Sequence, residues 1–224
     1  PIHDAACDAD VETLRRLLAK GSSPNAPAVG YSRTPLHFLC ITMGNDKAGD
    51  RAACFELLRN AGANLEAIDN VGYTPLHCAA ISIRPDLLSL LCQAGVNVEA
   101  VDRYANATAL HDAASSSERG VVDCVELLLA AGADMDARDN LGRRPFDIAL
   151  STDKRRMWPV FLRAGAEIPS STHPYFVRIR NAGGFKKYAD AHLARVASIL
   201  APTPRLPPEL VRHVVSFWLH AGYY

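Results

Sequence analysis

The chain has 224 residues, of which 49% are apolar, and its basic and acidic residues balance to a formal net charge of zero. This length and composition allow a continuous buried core. No apolar run approaches the roughly 18 residues that a membrane helix needs, and the first residues do not resemble a signal sequence, so we expect no membrane partner.

One recurring motif organises the chain, and its clearest copy begins at Asp69. Asp69 and Gly72 predict a tight turn, because glycine accepts positive φ and the carboxylate can bind nearby backbone amides. Thr74 predicts a helix N-cap, and Pro75 fits the first helical position, where its missing N–H costs nothing. A leucine-rich second helix is predicted to end at Gly95. The unit is therefore turn, helix, helix and loop.

This unit recurs five times. The proline position is occupied by Pro1, Pro35, Pro75 and Pro145, with Ala109 in the fourth copy, and the terminal glycine recurs at Gly21, Gly62, Gly95, Gly132 and Gly165. These segments resemble ankyrin repeats, whose period is about 33 residues. The resemblance implies an all-α ankyrin-repeat solenoid, in which paired antiparallel helices are joined by β-turn loops and followed by C-terminal capping helices. The expected repeats are residues 1–29, 30–68, 69–101, 102–138 and 139–168.

The copies depart from the pattern at identifiable places. Repeat one begins at the proline of the motif, so its own turn and N-cap are missing from this sequence. In repeat two, the run 43–50 separates a first helix from a second one expected near Arg51; it is either a tolerated excursion or a loop that contacts a partner. In repeat four, Asn106 replaces the turn glycine and should accept left-handed backbone. In repeat five, Pro159 predicts a helix that begins near Met157 or is kinked there.

The six cysteines all fall within the repeats, and none forms a Cys-x-x-Cys pair. Buried thiols are therefore expected instead of disulfides or a zinc site. Thiols of this kind indicate a reducing compartment, the cytoplasm or the nucleus.

Residues 169–224 are expected to form a separate helical segment. Basic residues predominate after residue 170, and acidic residues predominate before it. We expect this charge difference to attract the two parts of the chain to each other. Nucleic-acid binding is less favoured, because the basic residues are scattered and no nucleic-acid-binding motif accompanies them. The segment is expected to cap the solenoid. Its end is also similar to a shortened F-box, which would make it a contact for a ubiquitin-ligase adaptor. The residues that carry this second reading are Leu206, Pro207, Leu210, Val214, Phe217 and Trp218.

The sequence gives no indication of an enzyme. It contains no phosphate-binding glycine loop, nucleophile elbow or metal-spaced cluster. His3, His37, His77 and His111 occupy the structural histidine position of the motif and are a full repeat apart, too far to share a metal ion. We therefore expect no catalytic residue, no metal and no cofactor.

Function is then expected to be recognition of a protein or peptide partner. The resemblance implies a concave groove lined by the turn tips and the first helices, with the ligase-subunit reading as the alternative. Tyrosine and arginine dominate binding energies at interfaces, which focuses the prediction on the turns. The predicted partner-binding residues are Arg33, Tyr73, Ile81, Ser82, Tyr104, Ser115, Arg143 and Arg144.

Overall fold

The computed structural model describes residues 1–41, 48–118 and 120–200. Within these ranges all regular structure is helical, apart from one isolated antiparallel bridge between Val101 and Thr108. The predicted all-α fold is confirmed. The chain divides into two compact units, of which the first ends at Ile148 and the second begins at Ala149. The bounds of the single repeats stay a prediction, and we keep the repeat numbers as labels.

The first unit is built from helix pairs. The first helices of repeats one to four contact one another in succession, the second helices do the same, and α9 begins at the end of this unit. The first helices are α1 (Ile2–Cys7), α3 (Pro35–Ile41), α5 (Pro75–Ile81), α7 (Ala109–Ser115) and, in repeat five, α9 (Pro145–Ser151). The second helices are α2 (Val11–Ala19), α4 (Ala48–Asn60), α6 (Pro85–Gln93) and α8 (Val121–Ala130).

One helix boundary differs from the sequence-based expectation. Helix α4 begins at Ala48, ahead of the predicted start near Arg51, so part of the expected excursion in repeat two is helical. Asp50 lies in the first turn of the helix, where a carboxylate favours the positive helix N-terminus, although Gly49 beside it is a poor helix former. The rest of the excursion, residues 42–47, lies outside the described residues.

Small residues on the first helices and leucines on the second helices form the core of this unit. Cys40, Ala79 and Ala113 are fully or almost fully buried where successive first helices approach. Leu14 and Leu88 are completely inaccessible on the second helices. Each such leucine contributes about 1.5–3 kcal/mol by leaving water. The core therefore runs from repeat to repeat along the chain.

Two turn positions depend on unusual backbone. Gly72 has φ of +90°, and a Cβ there would lie 2.8 Å from the backbone nitrogen of Arg103 in the next repeat. Only glycine fits, because both the conformation and the space exclude a side chain. Asn106, which replaces the turn glycine in repeat four, has φ of 52°, so the prediction that asparagine preserves the turn is confirmed.

The second unit contains the end of repeat five and the tail. A short 3-10 turn, Arg155–Met157, leads into α10 (Trp158–Ala164), so the predicted start near Met157 is confirmed. Two tail helices follow, α11 (Pro174–Asn181) and α12 (Phe185–Leu200). The indole nitrogen of Trp158 donates to the Ala149 carbonyl at 3.2 Å, and its ring lies 4.8 Å from that of Phe176 on α11. Helix α12 contacts both α10 and α11, so the tail helices cover α10 as a capping segment would.

The sequence did not predict α11 as a separate helix. Its start is nevertheless a recognisable signal, because His173 accepts the Tyr175 N–H at 3.2 Å and Pro174 takes the first helical position. Among the described residues, no helix combines the length and the apolarity needed to cross a membrane.

Candidate protein-binding surface

Histidines join repeats two, three and four each to the repeat that follows. In repeat three, the Thr74 N–H donates to Nδ1 of His77 at 3.2 Å. The opposite ring nitrogen, Nε2, lies 3.2 Å from the Ala107 carbonyl of repeat four and must carry the proton, because a carbonyl can only accept. His37 and His111 make the corresponding links to the Tyr73 and Arg143 carbonyls. The predicted structural role of these histidines is confirmed.

These histidines are neutral in the folded chain. Burial lowers the pKa of His37, His77 and His111, because charging a ring inside the core loses hydration. Backbone carbonyls oppose this effect only in part. The links therefore stabilise the repeats above a pH of about 6.5 and are weakened as the pH falls through the lowered pKa values.

Aspartates shape the turns that precede the first helices. In repeat three, Oδ1 of Asp69 accepts the N–H groups of Val71 and Tyr73 at 2.8 and 3.0 Å. Asp102 and Asp139 accept backbone N–H groups in the same way in repeats four and five. Each of these carboxylates is buried and replaces the water that the turn amides would otherwise bind.

Neighbouring turns are hydrogen-bonded to one another along the first unit. The Asn70 N–H donates to the Tyr31 carbonyl at 3.0 Å, and the Arg103 N–H donates to the Val71 carbonyl at 3.0 Å. The side-chain amide of Asn140 donates to the Tyr104 carbonyl at 2.6 Å. The tips are therefore held in one row and present their side chains together.

The predicted arginines are engaged within the chain. Arg33 Nε lies 2.9 Å from Oδ2 of Asp69, and Arg143 Nε lies 2.8 Å from Oδ2 of Asp139. Arg144 pairs with Asp147 at 3.2 Å and with an exposed aspartate nearby. Burial would raise the pKa of Asp139, but hydrogen bonds from the Arg143 backbone and side chain outweigh it and hold that pKa below its ordinary value. These arginines thus stabilise the turns.

The remaining predicted contact residues differ in accessibility. Tyr104 is 73% exposed at the tip of repeat four, and Ile81, at the end of α5, is 42% exposed. Ser115, at the end of α7, is exposed, whereas Ser82 is half-buried. Tyr73 is also half-buried and stacks on His77 with ring centroids 5.6 Å apart. Tyr104 and Ile81 are therefore the predicted residues that offer accessible apolar area.

The structure adds apolar side chains that the prediction did not single out as contacts. Every large hydrophobic side chain that is exposed among the described residues lies in a turn or, for Ile81, at the end of a first helix. The second helices α2, α4, α6 and α8 contribute none within those ranges. The available sequence signal was an apolar residue directly before a turn aspartate, as in Ile68 before Asp69 and Val101 before Asp102. This tip surface consists of Val29, Tyr31, Ile68, Ile81, Val101, Tyr104 and Leu141.

All six cysteines lie in the part of the chain that the structure describes, and no disulfide joins any of them. Burial raises the pKa of Cys78 and of Cys124 to about 12, which makes both thiols poor nucleophiles.

The adaptor-contact residues predicted between Leu206 and Trp218 lie outside the described residues.

Several known proteins resemble this chain. The B-cell lymphoma 3 protein homolog of Mus musculus is 30% identical over 192 residues, covering 82% of this chain and 40% of that protein. Ankyrin repeat and SOCS box protein 6 of Mus musculus is 35% identical over 97 residues, 43% of this chain and 23% of that protein. E3 ubiquitin-protein ligase KEG of Arabidopsis thaliana is 30% identical over 159 residues, 69% of this chain and 10% of that protein.

This chain spans less than half the length of each of these relatives. A family model of three ankyrin repeat copies matches residues 2–102 and, overlapping that range, residues 46–139. The matched region contains the helix-capping threonines and the linking histidines of repeats two, three and four, together with the turn aspartates Asp69, Asp102 and Asp139. The chain belongs to the ankyrin repeat family.

Proposed function

We propose that this chain is a protein-binding adaptor that recognises its partner through the tip surface. The observation that carries the proposal is the confinement of exposed large apolar side chains to the turns and to the end of α5. Exposed apolar area that is gathered on one side of a protein marks an interaction site. Ankyrin repeats are interaction modules, which agrees with this role.

Tyr104 and Leu141 form the centre of the proposed contact. They are 73% and 75% exposed, and the Asn140 side chain, next to Leu141, is hydrogen-bonded to the Tyr104 carbonyl. Because both residues stand on hydrogen-bonded turns, their backbone loses little conformational freedom on binding. A tyrosine next to a leucine offers a partner an apolar anchor with one polar edge.

Site-specific photo-crosslinking tests this proposal. A photoreactive residue is placed at position 104 or 141 of the full chain, and at Arg15 or Lys20, which are exposed on or after α2, as matched controls. We expect the same partner to be captured from positions 104 and 141 and not from the controls. The double variant Tyr104→Ala, Leu141→Ala should weaken binding of that partner at least tenfold without loss of stability. Equal capture from all four positions would reject the tip surface.

The role of Arg33, Arg143 and Arg144 in this function is indirect. Their guanidinium groups hold the turn aspartates and Asp147, so the proposal assigns them to positioning the tips. Tyr73 and Ser82 are half-buried and would contact only the part of a partner that lies against the first helices. With six thiols and no disulfide, the proposed place of action is the cytoplasm or the nucleus.

A second candidate is a substrate-recognition subunit of a ubiquitin ligase. The similarity to E3 ubiquitin-protein ligase KEG and the F-box-like pattern between Leu206 and Trp218 both favour it. Deletion of residues 203–224 tests this candidate. Loss of ligase adaptors from the captured proteins, with retention of the partner crosslinked from position 104, would support it. An unchanged set of captured proteins would contradict it.

A further inference from the structure

The two compact units carry opposite charges. The first unit, residues 1–148, contains 13 basic and 20 acidic residues, which gives a formal net charge of −7 with histidines neutral. The second unit, residues 149–224, contains 11 basic and 4 acidic residues, which gives a formal net charge of +7. The field of a protein follows the distribution of its charges and not only their sum, so this neutral chain has a strong electrostatic polarity.

Positive charge in the second unit is concentrated where α11 meets α12. Four exposed cations lie within 10 residues there, and no acidic residue occurs between Glu167 and Asp190. The Gly183 N–H donates to the Arg180 carbonyl at 2.9 Å and turns the chain. The ammonium of Lys187 lies 3.5 Å from the position that a Cβ on Gly183 would take, so both helix ends bring cations to the same turn. This basic corner consists of Arg178, Arg180, Lys186 and Lys187.

The charges of the basic corner are not compensated within the chain. Lys186 and Lys187 occupy the first turn of α12, a helix of 16 residues with no acidic residue in that turn. Because the N-terminal end of a helix is electrically positive, cations there are destabilising. Arg180 donates to the Pro169 and Ser171 carbonyls, which fixes its guanidinium without supplying an anion. Among the described residues, no salt bridge reaches any of the four cations.

The first unit presents exposed carboxylates in the loops that follow its second helices. Oε1 of Glu66 accepts the Asn97 N–H at 2.6 Å, and Oε1 of Glu99 accepts the Asp134 N–H at 2.8 Å. Each bond joins one loop to the loop of the next repeat, so the acidic side chains stand in a row. All are exposed, and none forms a salt bridge within the ranges that the structure describes. This acidic row consists of Glu66, Glu99 and Asp134.

We propose that the basic corner of one molecule docks on the acidic row of a second copy of this chain, so that molecules associate head to tail. Charge complementarity selects this occupant, because the chain itself supplies an anionic surface that matches its cationic one. A nucleic acid fits less well, because the net charge of −7 on the first unit repels a long polyanion. Two different surfaces meet in this contact, so association can extend from molecule to molecule instead of stopping at a pair.

Sedimentation analysis of the full chain tests the proposal, because salt screens attraction between exposed charges. We expect the mean mass to rise with protein concentration at about 0.02 M sodium chloride and to fall to that of a monomer at about 0.5 M. A chain that stays monomeric at low salt would overturn the proposal, because no second copy is bound. Association that persists undiminished at high salt would also overturn it, because apolar surfaces and not charges would then hold the molecules together.

Charge reversal at the basic corner gives the first variant. Lys186→Glu with Lys187→Glu places acidic residues in the first turn of α12, where they favour the helix, so we expect an intact fold and association weakened by about tenfold. Arg15→Glu with Lys20→Glu changes the net charge equally at exposed positions on or after α2 and should leave association intact. Equal weakening by both pairs would reveal an effect of net charge alone and would contradict docking through the basic corner.

Neutral isosteres test the acidic row without breaking its loops. Glu66→Gln, Glu99→Gln and Asp134→Asn keep oxygens that can accept backbone N–H groups but lose the charges. We expect this triple variant to remain a monomer at low salt. A matched control, which should retain most of the association, replaces three exposed carboxylates elsewhere on the first unit: Asp8→Asn, Glu12→Gln and Asp123→Asn. If both triple variants associate equally, the acidic row is not the contact.

Mixing the two variants separates head-to-tail contact from any other arrangement. The lysine-reversed variant keeps its acidic row, and the row-neutralised variant keeps its basic corner, so a mixed pair can form one contact and no second. We expect dimers and nothing larger in the mixture at low salt, while either variant alone stays monomeric. A mixture without dimers would overturn the proposal. So would a monomeric unmodified chain that binds a labelled single-stranded oligonucleotide through Lys186 and Lys187, because the basic corner would then belong to a nucleic acid.

Discussion

In the turn of repeat five, Asp139 accepts two backbone N–H groups and pairs with the Arg143 side chain. In the turn of repeat four, Asp102 accepts three backbone N–H groups and no arginine. The repeat four turn is one residue longer, and the additional N–H occupies the oxygen that the guanidinium takes in repeat five. The turn therefore requires the aspartate carboxylate but not an arginine beside it. In repeat four, Asp102 is a carboxylate that no arginine pairs with among the described residues.

The largest effect is expected from breaking the histidine link between repeats three and four. His77→Ala leaves the Thr74 N–H and the Ala107 carbonyl without buried partners and opens a cavity. We expect a loss of about 4 kcal/mol in the free energy of unfolding. His3→Ala, which removes one part-buried bond to the Ala26 carbonyl, should cost about 1 kcal/mol. Urea unfolding measures both, and equal losses would contradict the difference.

The next effect isolates a different carboxyl, that of Asp112 on α7, whose Oδ2 atom is buried without a hydrogen-bond partner. The pKa of Asp112 is about 7 in the folded chain and about 3.8 when it is unfolded, so between these pH values only the unfolded chain loses the proton. Stability from the protonated carboxyl is therefore present below about pH 4 and is lost by about pH 7. Asp112→Asn should be neutral near pH 4 and stabilising by about 3 kcal/mol at pH 8.

Asp123→Asn serves as the control for this pH dependence, because its side chain is exposed on α8. The linking histidines are present in all three proteins, so their own pH dependence cancels in the comparison. Unfolding measured at pH 4 and pH 8 decides the outcome. A stability difference between Asp112→Asn and the unmodified chain that does not change with pH would contradict burial of an ionisable carboxyl.

A smaller effect is expected from glycine substitutions in the turns of repeats three and five. Gly72→Ala meets both positive φ and the Arg103 backbone nitrogen, so we expect a loss of about 2 kcal/mol. Gly142 has φ of +72° with no atom near its would-be Cβ, so Gly142→Ala should cost about 1 kcal/mol from conformation alone. Thermal unfolding orders the two variants, and the reverse order would contradict the close approach of repeats three and four.

The smallest effect is expected from removing the arginine that pairs with Asp139. Arg143→Ala should lower stability by about 1 kcal/mol, because the buried Asp139 loses a charge-assisted hydrogen bond while half of the arginine was already in water. Arg15→Ala, on the exposed face of α2, should change stability by less than about 0.5 kcal/mol. Chemical unfolding at low salt compares the two variants. Equal losses of stability would show that the Arg143–Asp139 pair contributes no more than an exposed surface charge.

Local signals sufficed to predict the repeated unit. The capping role of Thr74, the turn at Gly72 and the left-handed conformation of Asn106 depend on residues only a few positions apart. The start of α10 after Met157 follows from the restriction that Pro159 imposes. Such features are set by backbone sterics, which do not depend on the rest of the fold.

The candidate site was predictable only in part. Tyr104 is exposed at a turn tip and Ile81 at the end of α5, while their contact with a partner stays a prediction. Arginine and tyrosine side chains were chosen by residue type, but type does not reveal that Arg33 reaches Asp69 thirty-six positions away. Nor does it reveal that Asp112, on a first helix, has a buried Oδ2 atom without a hydrogen-bond partner.

The sequence by itself determined the turn, the caps, the helix pairs and their repetition, because each is fixed by interactions within one repeat. Only the tertiary structure decided which charges are compensated and which apolar side chains stay exposed. Both depend in part on contacts between repeats, where a carboxylate of one repeat meets the guanidinium or the tyrosine of another. In this chain, architecture is local, whereas the surface that a partner meets is set by neighbouring repeats.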